Sequence, residues 1–179
     1  MTRISNTQEV TAYIGLGSNL DQPLEHIKQA AEALNQIPQT QLLALSPLYQ
    51  SEAVGPGEQP DYINAAAALS TQLSPLELLH QLQAIENEQG RQRGPIRWVA
   101  RTLDLDLLLF DNITLDTEEL SIPHPRMTER NFVLFPLRDL AIHLSLTLSL
   151  PDGRSIVDLA QNCNNDGICL SGSPATFPN

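Results

Sequence analysis

RTLDLDLLLF, residues 101–110, places two carboxylates inside an apolar run. Side chains on a strand alternate between faces, so Asp104 and Asp106 share one face with Thr102 and Leu108. Leu103, Leu105, Leu107 and Leu109 line the opposite face and belong in a core. The acidic face needs its own explanation, because Asp is poorly suited to strands and like charges on one face repel. Along a strand the two α-carbons stand about 7 Å apart. Paired carboxylates at that spacing suit hard cations with oxygen ligands, and can serve two metals about 3.5–4 Å apart. The plainer alternative is a half-solvated sheet face.

Just before this strand lie four arginines. Arg91, Arg93, Arg97 and Arg101 fall within eleven residues that contain no acid, in a chain whose net charge is −11 and whose only lysine is Lys28. Guanidinium groups gathered in an otherwise acidic protein point to a local anionic ligand, with a solvated basic loop as the plain alternative. Beside two metal-binding carboxylates, that ligand reads as a polyphosphate. Magnesium contacts one or two carboxylates and completes its shell with phosphate and water, and arginine bonds phosphate in bidentate fashion. The acidic balance argues against a nucleic-acid surface. A P-loop is excluded, since Lys28 follows His26-Ile27 with no glycine nearby. Gly15-Leu16-Gly17-Ser18-Asn19-Leu20 starts like a dinucleotide fingerprint but has Leu20 in place of the third glycine, so a tight turn is the expectation there.

Further from the carboxylates, AYIGLGS (12–18) reads as a buried strand, followed by a helix over 22–35 with Asp21 as its cap. Residues 42–49 read as a strand with Pro47 at an edge or bulge. A Gly/Pro loop covers 51–61, and 62–71 reads as a third strand. Ser74-Pro75-Leu76-Glu77 carries a capping box and opens a helix over 75–89. After the strand 99–110 come a small strand near 113–115, a helical stretch over 126–140 and a short helix at 155–162. Strand, helix, two strands, helix and strand in this order give an α+β plan. It is a ferredoxin-like antiparallel sheet covered by helices, in αβα layers. Residues 1–163 form one domain on this reading, and 164–179, rich in Asn, Gly, Ser and Pro, form an irregular tail.

Length and composition agree with one folded domain: 179 residues, 41% hydrophobic. No apolar run approaches the ~20 residues of a membrane span, and MTRISNTQEV does not resemble a signal peptide, so a cytoplasmic location without membrane association is expected. Cys163 and Cys169 match no zinc pattern and are expected to be free thiols.

The chain is poor in aromatics, which makes their placement informative. Tyr62 and Asn64 share a strand face. A ring beside an amide can stack on a flat heterocycle and pair with its edge, although taken alone a core tyrosine and a loop-capping amide are the more ordinary reading. Phe132 and Trp98 taken alone suit core packing. His124 sits between two prolines in Ser121-Ile122-Pro123-His124-Pro125-Arg126, which holds its imidazole in a stiff segment. Arg126 and Arg130 are spaced to share a helix face.

Taken in order, these motifs resemble the 6-hydroxymethyl-7,8-dihydropterin pyrophosphokinase family of folate biosynthesis, over roughly residues 12–160. The resemblance is carried by Arg101-Thr102-Leu103-Asp104-Leu105-Asp106, Gln59-Pro60-Asp61-Tyr62-Ile63-Asn64, Pro123-His124-Pro125-Arg126 with Glu129-Arg130-Asn131-Phe132, and Gly17-Ser18-Asn19-Leu20. It implies transfer of pyrophosphate from ATP to the pterin hydroxymethyl group, with release of AMP. It also implies two Mg2+ ions on Asp104 and Asp106, with Arg91 and Arg101 joining them as catalytic residues. Gln83, Glu86, Arg91, Arg93, Arg101, His124 and Arg130 would contact ATP. Ser51, Val54, Tyr62, Asn64, Trp98 and Phe132 would bind the pterin, Tyr62 and Phe132 as a sandwich.

Glu119, Pro125 and Gly94 depart from residues found in some relatives, which bears on individual phosphate contacts. Two other readings compete: a nucleotide-binding regulatory module without turnover, and an RNA-binding ferredoxin-like domain. The second would need aromatics with basic surroundings on the sheet, against the acidic balance. The length leaves no room for a second folate enzyme.

Overall fold

The computed structural model describes residues 8–54, 58–90 and 102–172. The arginine-bearing stretch 91–101, with Arg91, Arg93, Gly94, Trp98 and Arg101, lies outside them. Strand β1 (Val10–Ser18) leads to helix α1 (Pro23–Leu34), then β2 (Thr40–Leu45), β3 (Leu48–Ser51) and β4 (Tyr62–Thr71). Helix α2 (Pro75–Glu88) crosses to β5 (Asp104–Phe110). A small hairpin of β6 (Leu115–Asp116) and β7 (Ser121–Ile122) precedes a 3-10 turn at Met127–Glu129. Helix α3 (Asn131–His143), helix α4 (Ile156–Gln161) and strand β8 (Ile168–Gly172) complete the order.

The main sheet runs β5-β1-β4-β3-β8, with β2 also on β4, and its pairings are antiparallel. Helices cover both faces, so the layered α+β plan expected from the sequence is present. One face of β1 and β4 presents Ile14, Leu16, Ala67 and Leu69 to a cluster with Ile27, Leu34, Leu78 and Leu82 of α1 and α2. The other presents Tyr13, Ala66 and Ala68 to Leu134, Leu137 and Leu140 of α3. The alanine run 65–68 thus forms a central strand buried on both sides. Tertiary packing overrides the helix propensity of alanine there.

Several local expectations change. Helix α1 is entered through Asp21 and Gln22, both at positive φ, and no side chain caps it. Pro23 in its first turn lacks an N–H, so fewer orphan donors call for a cap. The single strand over 42–49 is two strands broken at Ser46-Pro47. Pro47 cannot donate to the ladder, and Ser46 takes over the pairing through Ala66, whose N–H donates to Ser46 Oγ at 2.8 Å. Helix α2 has the expected capping box. Arg126 and Arg130 flank the 3-10 turn and do not share an α-helical face.

In β5 the apolar alternation ends at a bulge. Tyr13 pairs with Leu109 but Ile14 with Leu107, which leaves Leu108 as the extra residue. Leu109 therefore joins Leu108 in the α3 cluster rather than sharing a face with Leu105 and Leu107. The tail expected to be irregular from Asn164 contains β8, which pairs with β3. Its alternation is short and mostly exposed, and the pairing comes from the free edge of β3 rather than from side-chain pattern.

Candidate active site

Helix α3 covers only part of its face of the sheet. Over the remainder the ends of β1, β3, β4 and β5 form the floor of a cleft of about 500 Å³. Strand register decides what stands on that floor. Gly17 of β1 pairs with Asp104 on one side and Asn64 on the other, and Gly15 pairs with Asp106 and Ala66. Ser51 pairs with Tyr62. Cross-strand partners point to the same face, so Asp104, Asp106, Asn64, Tyr62 and Ser51 converge on one surface.

The two glycines overturn the tight turn expected from Gly-x-Gly, since both lie inside the central strand β1. Their value is the lack of a side chain. A β-carbon on Gly17 would stand 3.4 Å from Asn64 Oδ1 and 3.7 Å from Tyr62 Cδ1, in the cleft itself. Glycine within a strand often marks a place where a ligand approaches the backbone, and that signal was available in the sequence.

Asn64 is 4% exposed, and its Nδ2 donates to Ser51 Oγ at 2.8 Å. This bond fixes the orientation of the amide. Phe132, in the first turn of α3, lines the cleft together with Tyr62 and Val54. The Arg130 guanidinium lies over the Phe132 ring at 5.6 Å, a cation–π contact that holds both.

The cleft also carries cations. His124, Arg126 and Arg130 line it together with Asp104 and Asp106. A cis Ile122–Pro123 bond precedes His124, whose N–H donates to Leu108 O at 2.9 Å and so ties the segment to β5. Burial, then the charge of Arg130, lowers the His124 pKa below its ordinary value, while Asp104 acts in the opposite sense. The shift favours the neutral ring. Its Nδ1 accepts from Arg126 N–H at 3.3 Å, which places the remaining proton on Nε2 as a donor. Arg130 is pulled down in pKa by burial and raised by Asp106, and it stays charged as guanidinium does.

Ser51, Val54, Tyr62, Asn64, Asp104, Asp106, His124, Arg130 and Phe132 thus line a single cleft. Arg126, Glu52, Gly15 and Gly17 line it too and were not among the site residues read from the sequence. Gln83 and Glu86 do not line it. Glu86 was expected to face a nucleotide, but it is 2% exposed and its Oε1 accepts the Leu105 N–H at 2.8 Å. Its carboxylate fastens α2 to β5 between the two aspartates.

The donor set fits a hard divalent cation. Two carboxylates of β5 face an open cleft with cations across from them, and an anionic oxygen ligand would complete the shell. Among the described residues no third His, Cys, Asp or Glu joins them in a cluster that could hold a metal by itself. Fold and cleft together define the class: a ferredoxin-like α+β domain whose cleft brings the Asp104–Asp106 carboxylate pair together with aromatic, amide and cationic side chains.

A family model for 7,8-dihydro-6-hydroxymethylpterin-pyrophosphokinase matches residues 13–142. The 2-amino-4-hydroxy-6-hydroxymethyldihydropteridine pyrophosphokinase of Pseudomonas aeruginosa is 51% identical over 156 residues, covering 87% of this chain and 93% of that protein. The protein of the same name from Haemophilus influenzae is 48% identical, covering 85% and 92%. The chain belongs to this pyrophosphokinase family.

Solved structures share the fold at low identity. One is the Plasmodium falciparum HPPK-DHPS wild type with pterin and p-hydroxybenzoate, at a TM-score of 0.66 and 15% identity, covering 88% of this chain and 43% of that one. Another is an HPPK-DHPS in complex with substrates, at 0.64 and 14%, covering 86% and 43%. The chain spans less than half of those longer chains.

Proposed function

We propose that the chain transfers the β,γ-diphosphoryl group of ATP to the hydroxymethyl oxygen of 6-hydroxymethyl-7,8-dihydropterin, releasing AMP. The observation that carries this reading is the arrangement of Asp104 and Asp106 in one cleft, between Asn64, Tyr62 and Phe132 on one side and His124, Arg126 and Arg130 on the other. The substrate hydroxyl gives up its proton to solvent as its oxygen forms a bond to the β-phosphorus, the bond from that phosphorus to the α–β bridging oxygen breaks, and AMP leaves with the bridging oxygen. Such transfers depend on alignment and charge neutralisation more than on covalent help from the protein.

Tyr62 and Phe132 hold the two faces of the pterin. Asn64, oriented by Ser51, offers its carbonyl and its second N–H to the pyrimidine edge, and the 51–54 backbone completes that wall. Asp104 and Asp106 would hold two magnesium ions. When bound, magnesium neutralises phosphate charge and lowers the pKa of a coordinated hydroxyl. Arg130, Arg126 and His124 Nε2–H take phosphate oxygens at the far end. Arg91, Arg93 and Arg101 are proposed to add phosphate contacts, Gln83 to face the nucleotide and Trp98 to contact the pterin. Cytoplasmic placement is part of the proposal, as both substrates imply. Among the described residues no helix is long and apolar enough to cross a membrane.

A nucleotide-binding module without turnover has no observation in its favour, and Asp104, Asp106, Tyr62, Asn64 and Phe132 lining one cleft support the enzyme. The test is pterin-dependent AMP formation with magnesium titrated. Asp104→Asn is expected to lose turnover by about three orders of magnitude or more, on the scale of removing a charge-stabilising group, with its thermal unfolding retained. Wild-type levels of AMP from the variant would end the proposal.

A further inference from the structure

The segment after α4 falls outside the family match, which ends at residue 142, yet it touches both walls of the heterocycle end of the cleft. One wall begins with Asn131, the first residue of α3, directly before Phe132. Asn131 Nδ2 donates to two backbone carbonyls of the segment, Asn164 O at 3.0 Å and Asp166 O at 3.1 Å. The other wall is the end of β3. There Glu52 N–H donates to Gly167 O at 2.8 Å, and Ser51 pairs with Ile168. Ser51, Glu52 and Phe132 all line the cleft.

The segment between these anchors is stiffened internally. Asn164 Nδ2 donates to Asp166 Oδ2 at 2.7 Å, and Asp166 N–H returns a bond to Asn164 Oδ1 at 2.9 Å. Gly167 adopts φ +68°, and a β-carbon there would meet Glu52 Oε2 at 3.2 Å. At the far end Ile168 packs against the α3 cluster.

We propose that residues 164–168 form a strap that sets the width of the heterocycle end by tying the start of α3 to the end of β3, with Asn131 and Gly167 as positioning residues. The proposal rests on the pterin reading of that end. The strap fixes the gap between Phe132 and the Ser51–Val54 edge before a ligand arrives, so ordering these walls is not charged against binding. Among the described residues its hydrogen bonds to the cleft walls go to Asn131 and Glu52, so its effect is expected on the heterocycle before the phosphates.

The experiment uses the full chain and two calorimetric titrations. In one, a non-hydrolysable ATP analogue with magnesium is titrated alone. In the other, 6-hydroxymethyl-7,8-dihydropterin is titrated at saturating analogue. Asn131→Ala and Asn131→Asp remove the two donated bonds, and Gly167→Ala strains and crowds the opposite anchor. On the scale of one or two neutral hydrogen bonds, the variants are expected to bind pterin about five- to tenfold more weakly, with analogue affinity unchanged within about twofold.

Equal pterin affinity in folded variants overturns the strap while leaving the site intact. Weakening of both ligands together also overturns it, since a merely structural role would do that. A wild type that binds the analogue but no pterin removes the reading of the site and the strap with it. Because the anchors lie on opposite walls, Gly167→Ala decides the matter if substitution at Asn131 prevents folding.

Discussion

Gly17 shows how a single atom set can govern a site. Its missing β-carbon leaves room over β1 between Asn64 and Asp104, its partners on either side. A valine there would push against the Asn64 carbonyl and the Tyr62 ring, the two groups assigned to the heterocycle. Overpacking of this kind costs about 1–3 kcal/mol where it must be accommodated. Gly17→Val is therefore expected to lower pterin affinity by at least about tenfold, while far-ultraviolet circular dichroism stays native. Undiminished pterin binding in that variant would place the heterocycle elsewhere. At the same scale, Glu86 illustrates what spacing alone could not reveal. Gln83 and Glu86 are three apart on α2, but the turn toward β5 buries Glu86 against a backbone N–H and so changes its role.

Helix α2 bears on the site through the end that carries Glu86, and its stability rests partly on the other. Its start is the Ser74–Glu77 capping box, in which Ser74 N–H donates to Glu77 Oε2 at 2.8 Å and Ser74 Oγ accepts from Glu77 N–H at 3.3 Å. The hydroxyl bond with Ser74 keeps the Glu77 carboxyl below its ordinary pKa, so the box is intact at neutral pH. Near the other end Glu86 grips β5 between the aspartates. Ser74→Ala is expected to destabilise the protein by about 1 kcal/mol, the usual cost of losing a side-chain cap, measured by urea unfolding. Because the cap is remote from the cleft, substrate KM should not change. A variant as stable as wild type would show that packing of Leu78 and Leu82 holds this helix without its cap. Helix α3 is the less legible element: its start at Asn131 follows a 3-10 turn that hydrophobic periodicity does not mark.

Across the whole molecule, α3 is joined to β3 by a polar cluster of Tyr49, Arg138 and Asp139. Tyr49 Oη donates to Asp139 Oδ2 at 2.5 Å, and Arg138 bonds both Asp139 Oδ1 at 2.8 Å and Tyr49 Oη at 3.1 Å. Burial first, then the bond to Asp139, pushes the Tyr49 phenol up to about 12 from its ordinary 10. The folded state holds this proton more tightly than the unfolded chain. The resulting stabilisation is complete below pH 10 and is lost as pH rises from about 10 to about 12. Thermal unfolding midpoints should fall across that window more steeply for wild type than for Tyr49→Phe. Equal slopes would mean that Tyr49 does not contribute to the alkaline limb. Burial also raises the Tyr13 phenol, but Tyr13 is present in both proteins, so its effect cancels in the comparison.

The layer plan, the capping box of α2 and the carboxylate pair are legible in the residues alone, because each rests on local periodicity or on residue types at fixed spacing. The alternation in β5 placed Asp104 and Asp106 on one face without reference to any other part of the chain. Tertiary structure decided what shares that face. Register across β1 brings Asp104 beside Gly17 and Asn64, the bulge at Leu108 turns Leu109 to the other core, and the free edge of β3 recruits β8. These outcomes depend on pairing between segments far apart in sequence, where backbone hydrogen bonds of adjacent strands fix the geometry and the side-chain pattern of either strand alone carries too little information to specify it.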